Sequence, residues 1–212
     1  MLTEGRSSDG DGPGVDHSEA GGDECAGVTG CDGELVACGN PGDIDMAKQA
    51  GLKPDGGFGL NIYNRAALAE MYDAGLYKTT VSFELSIPRM RDMADARAGF
   101  IAYGYLPLML ARLCPLTGND GCKSCRRENL FITDRMKEKF PVVCHGNYAE
   151  ILNNRPLYLA DKIDEFKGMG FAQLYFTVET KKQTADIVRA YLGENINMPE
   201  KFTRGLYFRN IM

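Results

Sequence analysis

From Glu34 onward, short apolar runs alternate with helical patterns, and this alternation restricts the fold more than any other feature of the chain. Glu34-Leu-Val-Ala-Cys38 reads as a short buried strand. Asp43 is a plausible N-cap for a helix through Ala50, which Gly51 stops. Gly57-Phe-Gly-Leu-Asn-Ile-Tyr63 reads as a second strand. Asn64 then caps a helix whose Leu68, Met71, Tyr72 and Gly75 share one face. Thr79–Leu85 is a third expected strand, followed by a short helix from Pro88, and Phe100–Gly104 is a fourth. Pro156 opens an expected helix with Leu159, Ile163 and Phe166 on its face. Ala172–Val178 is a fifth strand. Thr184, Ile187, Val188 and Tyr191 line a last helix, ended by Gly193.

Strand alternating with helix is the signature of a parallel sheet made of βα units. About five such units are present, whereas a closed (β/α)₈ barrel needs eight and typically ~250 residues. The reading is a partial barrel, with a small doubly wound sheet as the rival. In several strands one face is polar: Thr80, Ser82 and Glu84 oppose Val81, Phe83 and Leu85, and Asn61 and Tyr63 oppose Leu60 and Ile62. An interior parallel strand is usually apolar on both faces, so these side chains are expected to point into a barrel mouth or cleft, or else to mark an unsealed sheet face.

Residues 1–33 break the pattern. They hold nine glycines and eight acids against one base, Arg6, and almost no large apolar residues. Such a segment cannot bury enough surface to offset its chain entropy and is expected to be a disordered tail. Its balance of -7 accounts for the net charge of -5, because the rest carries 23 bases and 21 acids. Charge alone therefore gives no argument for nucleic-acid binding. At 44% hydrophobic and 25% charged, the chain as a whole can form a packed core. It holds no apolar run of the ~18–20 residues a membrane span needs. Without a basic, apolar leader, a cytoplasmic location is expected.

The stretch from Cys114 to Asn154 is rich in Cys, Gly, Asn and charge, and reads as an irregular insertion over 112–154 with too few apolar residues to fold by its own packing. Cys114, Cys122 and Cys125 lie within twelve residues, and Cys144 follows nineteen later. Four soft thiolates satisfy either zinc or an iron–sulfur cluster, and a metal would supply the missing stability. Cys122-Lys-Ser-Cys125 has a gap that lets both thiolates face one metal, with Lys123, Arg126 and Arg127 offsetting the charge. Spacing leaves zinc and iron–sulfur even, with unliganded cysteines as the remaining alternative. Disulfides do not fit a chain without a secretion signal, and no thioredoxin-like unit surrounds the pair. Cys25, Cys31 and Cys38 read as incidental. Gly56-Gly-Phe-Gly59 precedes a strand instead of following one and is not a dinucleotide fingerprint. His17 and His145 offer no triad.

Several phrases resemble a known family. They are Gly56-Gly-Phe-Gly-Leu-Asn-Ile-Tyr-Asn64, Ser82-Phe-Glu-Leu85, Ala102-Tyr-Gly-Tyr-Leu-Pro-Leu-Met109, Cys114-Pro115, Asp134-Arg135, Phe140-Pro141 and Phe202-Thr-Arg-Gly-Leu-Tyr207. In this order they resemble the collagenase-like peptidase family U thirty-two, over about residues 34–212. The resemblance implies the C-terminal part of a TIM-barrel-like catalytic domain. It also implies an oxygen-sensitive 4Fe-4S cluster, with Cys114, Cys122, Cys125 and Cys144 as ligands, which moves the balance from zinc to iron–sulfur. Two activities attach to the family: the peptidase label, and oxygen-independent hydroxylation of RNA bases or of a ubiquinone precursor. The family's best-known Gly-Ala/Ser-x-Cys signature is replaced here by Tyr105-Leu-Pro-Leu-Met109 and then Cys114, as in a divergent subgroup.

Three functions follow as expectations. The first is an iron–sulfur protein acting on RNA or a small aromatic substrate, with Asn61, Glu84 and Arg204 as substrate contacts. Asn61 and Glu84 are assigned to polar strand faces, and Arg204 is a fixed cation suited to carboxylate or phosphate. The second is a peptidase, for which no nucleophile–base pair or open metal position is visible. The third is a zinc-stabilised fragment acting as a partner subunit. In each case a second chain or the missing front half of the barrel is expected to cover the open sheet edges.

Overall fold

The computed structural model describes residues 34–116, 130–196 and 199–209. The expected tail over 1–33 lies outside them. Five parallel strands form one sheet: β1 (Leu35–Cys38), β2 (Lys53–Gly56), β3 (Lys78–Thr80), β4 (Ala98–Gly104) and, after an excursion, β10 (Phe171–Tyr175). Helices α1 (Pro41–Gln49), α2 (Arg65–Ala74) and α3 (Ile87–Asp92) connect the first four, and α4 (Lys181–Tyr191) follows β10. The order β1-β2-β3-β4-β10 has no reversal, so no topological switch point of the doubly wound kind exists in it. Among the described residues β1 pairs only with β2 and β10 only with β4, so the sheet is open. The chain is mixed α/β.

The helices start where short polar side chains can take orphan N–H groups. Asn40, not Asp43, caps α1. It accepts from Gly42 N at 2.9 Å, while Asp43 reaches back to Gly39 N at 2.8 Å and Asn40 N at 3.1 Å. Those two backbone donors hold the Asp43 carboxyl below its usual range. Asn64 caps α2 as expected, through Ala67 N at 2.8 Å, and Gly75 ends it at φ 117°. Thr180 and Gln183 form a reciprocal box at the start of α4.

Three expected elements are corrected. The second strand is Lys53–Gly56; Gly57–Tyr63 holds a 3-10 turn at Phe58–Leu60 and a loop. The third strand ends at Thr80, and Val81–Leu85 turns, with Leu85 N donating to Ser82 O at 3.3 Å. The apolar residues of both segments pack into the core without being strands: Ile62, Val81 and Leu85 are fully buried. Pro156 opens no α-helix. It precedes β9 (Leu157–Tyr158) and a 3-10 segment, Ala160–Phe166.

Within the span 112–154, expected to be irregular, the described residues carry strands instead. Strands β5 (Pro107–Ala111), β6 (Phe131–Thr133), β7 (Lys139–Cys144) and β8 (Ala149–Leu152) form an antiparallel sheet in the order β5-β8-β7-β6. Val142, Ala149 and Ile151 make its small core, against which Leu130, Ile132, Phe140 and Cys114 pack. The described strands thus have apolar packing of their own.

Every residue of β4 is buried. Around it Phe100 stacks on Phe166 with centroids 4.1 Å apart, and Tyr207 meets the Phe166 ring edge-on at 5.2 Å. The fully buried Tyr207 donates its hydroxyl to Ile101 O at 2.9 Å. Gly104 closes β4 at φ 148°, and a Cβ there would run into the Tyr175 carbonyl of β10. Gly104→Ala should therefore cost about 2–3 kcal/mol in urea unfolding, through strain and overpacking. Gly57→Ala, where φ is -76° and a Cβ meets only Cys38 O at 3.6 Å, should cost under about 1 kcal/mol.

Candidate functional site

In parallel α/β sheets, ligands bind outside the carboxyl ends of the strands, where loops are free to vary. Here those loops are Gly39–Asn40, Gly57–Asn64, Val81–Ser86, Tyr105–Leu106 and Phe176–Thr180. The loops after β2 and β3 are tied together: Ser82 N donates to Ile62 O at 3.0 Å and Tyr63 Oη to Glu84 O at 3.5 Å. Phe58 meets Phe83 at 5.5 Å and Tyr175 edge-on at 5.3 Å, giving this rim an aromatic cluster drawn from three different strand ends.

Asn61 and Glu84 both sit on this rim, but neither lies on a strand face. Asn61 ends the 3-10 turn in the left-handed conformation, φ 48° and ψ 47°, and is exposed; Glu84 is exposed in the loop after β3. The polar strand faces are accounted for otherwise. Thr80 Oγ1 donates to Gln173 Oε1 at 2.8 Å, reaching from β3 to β10 across β4. That pair is an internal hydrogen bond, not a ligand-facing surface.

Glu179 is a rim residue that the sequence places with Gln173, Tyr175 and Thr177 on a polar face, opposite Leu174, Phe176 and Val178. Its Oε2 accepts from Thr177 N at 2.7 Å and Val178 N at 3.0 Å, while its Oε1 and the neighbouring Thr177 Oγ1 are buried without a hydrogen-bond partner among the described residues. Burial first, then the Glu179 charge, pushes the Tyr103 and Tyr105 hydroxyls above their usual range. A buried polar atom left without a partner calls for an explanation, and a ligand is one.

The antiparallel sheet stands against this end. A cavity of about 550 Å³ is lined by Lys139, Val143 and Cys144 of β7 and by Thr177 and Val178 beyond β10. Ala149 of β8 pairs with Ala111, the last residue of β5, on one side and with Cys144, the last residue of β7, on the other. Cys114, three residues past β5, packs on the same cluster of Val142, Ala149 and Ile151. Both cysteines are half-buried. Two cysteines thirty positions apart are thus brought to one end of one sheet. Cys122 and Cys125 lie outside the described residues, and among the described residues no three His, Cys, Asp or Glu gather as a metal site. Cys38 is buried at the end of β1, where desolvation and then Asp43 raise its thiol pKa. His145 stacks on Tyr148 at 4.4 Å and contacts Glu150 Oε2 at 3.3 Å.

Arg204 is occupied. Its Nη1 donates to Tyr158 O at 2.7 Å, both terminal nitrogens grip Asp161, and its guanidinium lies 4.6 Å over Phe202. Among the described residues its hydrogen bonds go to these partners and none to Asn61 or Glu84. The guanidinium holds the Asp161 carboxyl below its usual range. The pair therefore stabilises fully above the unfolded carboxylate value of about 3.9, and its contribution is lost as pH falls through the lower folded value. Asp161→Asn should cost about 1 kcal/mol or less at neutral pH, since the pair is partly solvated. The gap in urea midpoint between the two proteins should close as pH falls through the lowered folded value of Asp161; a gap that persists in stronger acid would assign the loss to packing.

No family model matches the chain, and no curated protein or solved structure matches it either.

Proposed function

We propose that the chain is an iron–sulfur protein of the collagenase-like peptidase type, forming part of a TIM-barrel-like domain. On this reading it contributes to oxygen-independent hydroxylation of an RNA base or a small aromatic substrate. The observation that carries the proposal is the placing of Cys114 and Cys144 at one end of the antiparallel sheet, with Cys144 lining the cavity shared with Thr177 and Val178 beyond β10. The donor set fits: soft thiolates suit an iron–sulfur centre, and Cys122 and Cys125 would complete four ligands. When bound, such a cluster would supply electron transfer or a docking point for an oxygen donor.

The chain's own residues would bind and orient the substrate. A planar ring finds aromatic partners in Phe58, Phe83 and Tyr175, with stacked or edge contacts at 5–6 Å centroid spacing worth about 0.5–1.5 kcal/mol each. Asn61 and Glu84 stand exposed beside that cluster, able to donate and accept hydrogen bonds at the ring edge. Glu179, beside Tyr103 and Tyr105, keeps its Oε1 buried without a geometric hydrogen-bond partner among the described residues. Arg204 belongs to the framework in this scheme, because Asp161 already holds it. The edge strands β1 and β5 would pair with a second polypeptide. Leu108, Met109 and Leu110 of β5 are each more than half exposed, an apolar edge that water alone covers poorly.

Purified without oxygen, the chain should be brown and carry about four irons and four sulfides. A colourless protein with one zinc per chain would sink the proposal. Cys122→Ser and Cys144→Ser should each bleach the visible absorption, whereas Cys38→Ser should leave it unchanged. Gelatin cleavage by metal-free protein would favour a peptidase instead.

A further inference from the structure

A second concave surface lies at the opposite, amino end of the parallel strands. It is a cavity of about 560 Å³ between the C-terminal ends of α1 and α2, and its lining includes Lys48, Lys53, Arg97, Tyr72 and Tyr77. Three cations line it and no carboxylate does. Their availability differs. Lys48 Nζ donates to Ala74 O at 2.9 Å and serves as a cap for α2. Nearby Lys78 is paired with Asp55 at 3.3 Å. Lys53 and Arg97 are the cations to consider. Lys53 Nζ sits 4.9 Å over the Tyr77 ring, and the Arg97 guanidinium 3.7 Å over the Tyr72 ring. Asp95 reaches Arg97 only at 3.8 Å from Nε, and it also accepts from the Tyr72 hydroxyl at 3.2 Å and Arg97 N at 2.7 Å.

The geometry of these rings and cations matters more than their number. Each cation is laid over an aromatic face, which fixes it; Arg97 keeps Asp95 as a loose counter-charge at 3.8 Å, while Lys53 has no carboxylate in its ring contact. The Arg97 side chain is 51% exposed and Tyr77 is 44% exposed, so both offer a flat surface to a ligand. Flat rings next to cations are the combination that holds a nucleotide: bases stack on aromatic or guanidinium planes while phosphates take the charges. A simple anion such as sulfate would not need the exposed rings. An apolar peptide would not need the cations. Nothing in this cavity involves the cysteines, so the inference is independent of the cluster.

We propose that this cavity binds a nucleotide unit, with its phosphate on Lys53 and Arg97 and its base stacked on Tyr77 or the Arg97 guanidinium. The unit could belong to a single-stranded RNA or be a free nucleotide, and the two sources can be separated. Fluorescence anisotropy of a labelled short oligouridylate with the full chain measures the first, and displacement of that label by uridine monophosphate measures the second. Lys53→Gln should weaken binding about tenfold and lower the slope of log Kd against log salt by about one, while Lys53→Arg should retain both. Tyr77→Ala should weaken binding five- to a hundredfold and leave the slope unchanged, because stacking carries no counterion release. Displacement by the monophosphate would assign a free-nucleotide site, and its failure would assign the polymer. Absence of binding to either ligand overturns the proposal. So does binding whose affinity and salt slope are the same in the wild type, Lys53→Gln and Tyr77→Ala, with unchanged thermal unfolding showing that all three are folded.

Discussion

The rest of the structure depends on the burial of one strand. β4 has no exposed residue, and it pairs with β3 and β10 on its two edges and with β9 beyond the end of β3. Burying a strand on both faces is favourable only if its backbone polar groups all find partners. The ladders leave gaps. β3 covers Ala98 and Gly99 and β9 begins at Tyr103, so Ile101 O falls between them, on the same edge as the Gly99 O that Val81 N takes. On the other side the β10 ladder skips Ala102 at a bulge. Two tyrosines fill these places: Tyr207 donates to Ile101 O at 2.9 Å and Tyr191 to Ala102 O at 2.6 Å. Tyr191 Oη also accepts from Leu159 N at 2.9 Å, which ties the 3-10 segment to the same point. For both tyrosines, desolvation is the main force raising the hydroxyl pKa, so they remain donors.

The route of the chain from β4 explains why a site should form where it does. The antiparallel sheet leaves β4 at Gly104 and returns through β9, which pairs back onto Tyr103 and Gly104. Both ends of the excursion are therefore pinned to the carboxyl end of the same strand. Asn154 and Arg155 strengthen the return by bonding Glu138 at 3.1 and 3.3 Å. An inserted sheet held this way cannot move far from the rim of Phe58, Phe83 and Tyr175. Tyr175 registers its closeness: after desolvation, the Glu150 charge on β8 is the next force raising its hydroxyl pKa.

Much of the parallel sheet could be read from the sequence, and the reasons are local. Asn64 and Gly75 bracket α2 because a cap and a left-handed stop are strong short-range signals. β4 and β10 were visible as apolar runs. β2 was hidden because Lys53-Pro-Asp-Gly56 has no large apolar residue; a strand this short is held by its neighbours, not by its own composition. The inserted sheet was hidden for a related reason. Its strands are three to six residues long and pair mainly with each other, so their packing shows only when Val142 and Ile151 are seen facing one another across a ladder. Asn61 and Glu84 stand in loops at the carboxyl end of the sheet, not on the strand faces that the alternation suggests. Arg204 was noticed for its charge, but only the structure shows that Asp161 uses it.

Charge shows the same limit in another form. Summed over the residues after 33, the balance is only +2, and the sum by itself gives no argument for a polyanion partner. A ligand responds to the local field instead of the total, and the two ends of the parallel sheet differ. At the carboxyl end stand Glu84, Glu150 and Glu179 among aromatic rings; at the amino end stand Lys48, Lys53 and Arg97 among tyrosines. β4, the strand that joins them, spans seven residues, roughly 23 Å at the usual rise. That exceeds the Debye length of about 8 Å at physiological salt, so the carboxylates at one end barely weaken the attraction of the cations at the other. A nearly neutral domain can therefore keep a local cluster of cations whose field the distant carboxylates barely reduce.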